Sequence, residues 1–100
     1  MKMYILVKKD VPLGLAMTSV AHASLACYLK FENTPEVTEW LSSSFRKVVC
    51  IVNDKEFEKA KTFEDNVVLT ESTLGDKEIS IALKPRGEWP KAVRFYSLYK

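Results

Sequence analysis

One hundred residues, 47% hydrophobic and 28% charged, suit one small globular domain and exclude a disordered tail, a collagen-like repeat or a disulfide-stapled mini-protein. A chain of this length buries somewhat over roughly 60% of its unfolded surface, enough for one core. Fifteen Lys and Arg against 13 Asp and Glu give a net charge of +2, far from the excess carried by an autonomous nucleic-acid clamp.

Met3 to Lys8, rich in Tyr, Ile, Leu and Val between charged flanks, reads as a buried strand. Asp10-Val11-Pro12-Leu13-Gly14 is a turn, with Pro and Gly as punctuation. Leu15 to about Phe31 lacks Pro and Gly and predicts a helix, apolar on nearly all sides and so mostly buried. Thr34-Pro35-Glu36 is a helix start, with a hydroxyl cap, Pro at the first helical position and an acid in the first turn. That second helix runs to about Ser43, with Val37, Trp40 and Leu41 inward.

Arg46 to Val52 is a second strand, apolar enough to be covered on both faces. Asn53 or Asp54 caps a third, more polar helix through Lys61, anchored by Phe57 and Ala60. Asn66–Thr70 is a third strand, Gly75-Asp76 a turn, and Glu78 to Leu83 a fourth strand antiparallel to the third. After a loop at Pro85–Pro90, a last short helix ends near Phe95 and leaves a brief tail. The expected fold is α/β: a single small domain over residues 1–100, a mixed four-stranded sheet packed by helices in the order β-α-α-β-α-β-β-α.

Cys27 and Cys50 each sit inside an apolar run and read as buried free thiols. His22 is the one histidine, so no zinc site of Cys and His is expected, nor any other metal or cofactor. Met1–Val7 is too short for a signal-peptide core, and no apolar run approaches the roughly 20 residues of a membrane span. A cytoplasmic location without membrane partners is the expectation.

Helical spacing puts Leu15, Ser19, His22 and Ala26 on one face, with Thr18 beside them. A lone His in such a helix suits a structural role. It also suits a site in which the Gly14 turn and the helix start attract an anion. Charge is divided along the chain. Residues 1–83 hold 10 basic and 12 acidic side chains. Beyond them Lys84, Arg86, Lys91, Arg94 and Lys100 face Glu88 alone, interleaved with Trp89, Phe95, Tyr96 and Tyr99. Basic and aromatic side chains together suit a phosphate-bearing, stackable ligand, or else a solvated face over core aromatics.

The segment Gly14-Leu15-Ala16-Met17-Thr18-Ser19-Val20-Ala21-His22-Ala23, after a short strand and an Asp-containing loop, resembles the signature of the type 2 peptidyl-tRNA hydrolases. That family carries a Gly-Lys turn, a Gln four residues later and an Ala-His-Ala triplet on the helix after its first strand. The resemblance extends to the order of elements over the whole chain. It implies a small mixed α/β fold, often dimeric, and hydrolysis of the ester joining a peptide to tRNA.

His22 matches the family histidine and Gly14 its turn. The motif lysine falls on Leu15 and the glutamine on Ser19. Glu71-Ser72-Thr73 is a shortened counterpart of the family's acidic turn, and the loop before Gly14 is two residues short. The resemblance thus implies His22, Glu71 and Ser19 as catalytic candidates. Gly14, Thr18, Lys84, Arg86, Lys91 and Arg94 are the substrate-binding candidates, and Lys8, Lys9 or Lys84 the substitutes for the missing ammonium. The expected partners are tRNA or another phosphate-bearing ligand and a second copy in a homodimer. The alternative is a non-catalytic domain that binds RNA or another anion, or one that packs the apolar Leu15 face on another chain.

Overall fold

In the computed structural model, which describes residues 1–100, strand β1 (Lys2–Lys8) runs through the middle of the molecule. Its side chains alternate between two cores. Met3 and Ile5 pack with Ala23 and Cys27 of helix α1 (Leu13–Phe31) and with Val37 and Trp40 of helix α2 (Pro35–Ser42). Tyr4 and Leu6 pack on the opposite face with Phe57 and Ala60 of helix α3 (Asp54–Ala60) and Val93 of helix α4 (Lys91–Arg94). Helices cover both faces, so the domain has three layers.

The sheet has five strands rather than the expected four, in the order β3-β4-β1-β2-β5. Strand β2 (Arg46–Val52) is parallel to β1, and strand β4 (Lys77–Arg86) is antiparallel to it. Strand β3 (Asn66–Glu71) forms one edge on β4. The other edge is β5 (Ser97–Leu98), formed where α4 returns the tail to β2. Two residues carry no alternation to read, which is why β5 is invisible in the sequence.

The cap signals are realised. The Thr34 hydroxyl accepts the Val37 N–H, and Asn53 and Glu56 form a reciprocal capping box at the start of α3. Helix α1 departs from expectation. It begins at Leu13, so Gly14 lies inside its first turn, and Pro12 at its cap offers no side-chain acceptor. Only Ala16, Ser19, Ala23 and Cys27 of α1 are buried, while Leu13, Met17, Leu25 and Leu29 face outward. Strand β2 is likewise covered on one face only: Cys50 and Val52 are buried, Val49 and Ile51 half-buried. Leu41, expected inward, is exposed on α2. Both cysteines are buried and free, and no helix is long and apolar enough to cross a membrane.

Candidate active site

The end of β3 and the start of β4 form a hairpin whose geometry presents one carboxylate. Glu71 stands opposite Lys77, and a short 3-10 turn (Ser72–Leu74) closes on Gly75 at φ +69°, the left-handed conformation that glycine adopts without cost. One Glu71 oxygen accepts the Thr73 amide N–H at 3.0 Å and the Thr73 hydroxyl at 2.7 Å. These bonds, joined by the charge of nearby His22, lower the Glu71 pKa, so the group is a carboxylate at neutral pH. His22 is exposed on α1, and its charge acts on the fixed carboxylate.

Beside this turn the sheet carries a bulge. Leu69 pairs with Ser80 but Thr70 pairs with Glu78, leaving Ile79 without a partner on β3. Ile79 and Ser80 are both buried, as is the strand through Leu83, because β4 is covered on both faces. Ser80, two residues from Ala82 and so on the α1 face of β4, shares a hydrogen bond with Ser19 in the core. Ser19, expected as a catalytic residue, is 3% exposed and spent on that contact. A hydroxyl so enclosed does not meet a substrate; it joins α1 to β4.

The model of the family described as Peptidyl-tRNA hydrolase PTH2 matches residues 1–78, from the first strand to the start of β4. This chain belongs to that family. A search of the curated proteins finds none that matches it.

Within the PTH2 framework the remaining candidates separate. Thr18 is exposed one turn before His22, its hydroxyl donating to the Gly14 carbonyl at 3.2 Å. Leu15 is half-buried and packs on a small cluster of Val7, Val11, Ala16 and Ile79, so no open cleft surrounds the position of the family lysine. None of the proposed substitute lysines lies at the hairpin. Lys8 is on the α3 side, over the Phe57 ring at 4.8 Å and 3.8 Å from Asp54. Lys9 lines a cleft with Ile51 and Glu56. Lys84 is held between Asp65 at 3.2 Å and Glu36 at 3.5 Å. Against the cost of partial burial, those two carboxylates raise its pKa.

The ammonium that does sit there is Lys77, opposite Glu71 and paired with Asp10 at 2.9 Å. Only the strand register reveals it, because Lys77 and Asp10 are 67 residues apart in the chain. Arg86, Lys91 and Arg94 are exposed and lie beyond the matched segment, at the far end of β4 and on α4. From Lys77 to Arg86 an extended strand spans about 30 Å. No three His, Cys, Asp or Glu side chains converge as metal ligands.

Proposed function

We propose that this PTH2 member hydrolyses the ester between a peptide, or an aminoacyl group, and tRNA at the His22–Glu71 hairpin. The observation that carries the reading is a carboxylate fixed by two bonds from Thr73, with an exposed imidazole on α1 whose charge acts on it. His22 takes a proton from water as the water oxygen attacks the ester carbonyl carbon, and Glu71 orients the imidazole. The C–O bond to the ribose then breaks. The proton passes to the leaving oxygen, giving a carboxylic acid and the free tRNA hydroxyl. The uncapped amides at the start of α1, around Gly14, and the Thr18 hydroxyl are the polar groups offered to the substrate on this flank. Arg86, Lys91 and Arg94 contact the RNA backbone away from the ester. The test is release of peptide from a peptidyl-tRNA by the wild-type protein and by His22→Ala in parallel.

A second reading rests on the opposite flank of α1. Leu13, Met17 and Val20 border one apolar groove with Val49 and Tyr99. Leu25 and Tyr28 border another with Leu41 and Phe45. Phe45 is held at φ +52°, a conformation that costs a bulky side chain of the order of 1 kcal/mol, and its ring is half exposed beside that groove. Leu13 to Leu29 holds no Asp, Glu, Lys or Arg. A second copy of the chain, packed there as a homodimer, covers this apolar surface without opposing like charges. The measurement is the molecular weight in solution by sedimentation.

A further inference from the structure

The basic end of the molecule carries an arrangement that the fold alone does not require. Lys2 pairs with Arg46 on one side and with Arg86 on the other, so three cations stand in one row across β4, β1 and β2. Like charges directly opposed in a sheet are destabilising. None of the three has a carboxylate within ion-pair distance, and neither has Arg94 of α4. Six of the 13 carboxylates pair instead with Lys8, Lys61, Lys77 and Lys84.

Of these cations, Lys2 and Arg94 line an open cleft of about 370 Å³ together with Tyr4, Gly87, Glu88 and Trp89. The Tyr4 ring meets the Trp89 ring edge-on at 4.8 Å, and the Trp89 indole N–H donates to the Arg86 carbonyl at 3.1 Å, so the indole is fixed as a wall. The Arg86 guanidinium lies 5.3 Å from the centre of the indole. Arg46 stands opposite Lys2 on β2, next to the cleft, and burial pushes the Tyr4 hydroxyl up in pKa while Arg94 and Arg46 pull it back. Glu88 is the one carboxylate on the rim, and it leaves the cleft with an excess of positive charge.

We propose that this cleft is a nucleotide-phosphate site: Arg94, Lys2 and Arg46 hold a phosphate group, and the fixed Trp89 indole packs against the attached base. Several cations around one point suit a multiply charged tetrahedral anion better than a single carboxylate, and guanidinium forks match its oxygens. An indole wall accepts the face of any base. The site is separate from the hairpin, across the sheet from α1 and at the other end of β4. It deepens the RNA-binding part of the proposed function and does not depend on hydrolysis. The phosphate comes either from a free mononucleotide or from an RNA strand.

The experiment is calorimetric titration of the full chain with adenosine 5′-monophosphate, with adenosine, with inorganic phosphate and with a short single-stranded RNA. The proposal expects the monophosphate to saturate the protein at or below about 1 mM, with affinity falling as salt rises. Arg94→Ala and Lys2→Ala, both surface changes, each weaken it by about tenfold or more. Trp89→Leu weakens the monophosphate more than inorganic phosphate, and Lys59→Ala on α3 leaves both unchanged. If the RNA competes with the monophosphate, the phosphate belongs to an RNA; if it does not, the ligand is a free nucleotide. No saturation by the monophosphate overturns the site. Equal affinity for adenosine does so too, as does wild-type affinity in Arg94→Ala. Peptide release measured on the same samples reads the hydrolytic proposal separately: nucleotide binding without release removes that proposal and leaves this one standing.

Discussion

The hydroxyls of Ser19 and Ser80 meet in the core between α1 and β4, the one buried polar pair there. Each satisfies the other, and no buried side-chain oxygen or nitrogen is left without a partner. Removing one hydroxyl strands the other in an apolar setting. Ser80→Ala therefore costs about 1–3 kcal/mol in urea denaturation. The double variant with Ser19→Ala costs less than the sum of the singles, because it removes both partners together.

The two thiols give the protein an alkaline limit. Burial pushes Cys27 up to about 12 and Cys50 up to about 11, from the ordinary value of 9.0. In the folded state both stay protonated where the unfolded chain has already lost its protons, so folding binds more protons and stability falls as pH rises. The contribution is whole below pH 9 and fades above it by about 1.4 kcal/mol per pH unit for each thiol. Cys27→Ala flattens this slope in denaturation curves taken at pH 8, 9 and 10, whatever it costs in packing. Native protein at pH 8 also leaves a thiol reagent unreacted until denaturant is added.

The outward flank of α1 makes a prediction of its own. Met17 is 67% exposed and touches the groove beside Val49 and Tyr99. Met17→Glu places a carboxylate on the proposed dimer seam. It shifts sedimentation from dimer to monomer and changes monomer stability by less than about 0.5 kcal/mol. A wild-type protein that sediments as a monomer at high concentration removes the homodimer.

Much of the layered fold was legible because local signals agreed with the tertiary result. The Thr34-Pro35 cap, the Asn53 cap and the alternation of Met3 to Val7 each name an element and a face. Helix α1 misled because its composition is that of a buried helix, while only one side meets the sheet. The remaining apolar surface looks outward. His22 and Glu71 are candidates from the motif alone; the setting of Glu71 depends on the Gly75 hairpin and the bulge at Ile79, which no spacing encodes. The contact of Ser19 with Ser80 is not legible in the sequence, because it joins residues 61 positions apart. Lys77 was overlooked because strand register, not sequence distance, sets it against Glu71. The basic C-terminal residues were grouped by composition, yet Lys84 is ion-paired while Arg86 and Arg94 border a separate cleft or its edge.

The central claim is that the His22–Glu71 hairpin hydrolyses a peptidyl-tRNA ester, and the rate of peptide release tests it most directly. The informative set is wild type, His22→Ala and Leu15→Lys between about pH 6 and pH 9. The account predicts release by the wild type and its loss in His22→Ala with the fold intact. Leu15→Lys sets an ammonium against the apolar cluster of Val7, Val11, Ala16 and Ile79 and does not raise the rate. No release by wild type at any pH, or release unchanged in His22→Ala, contradicts it.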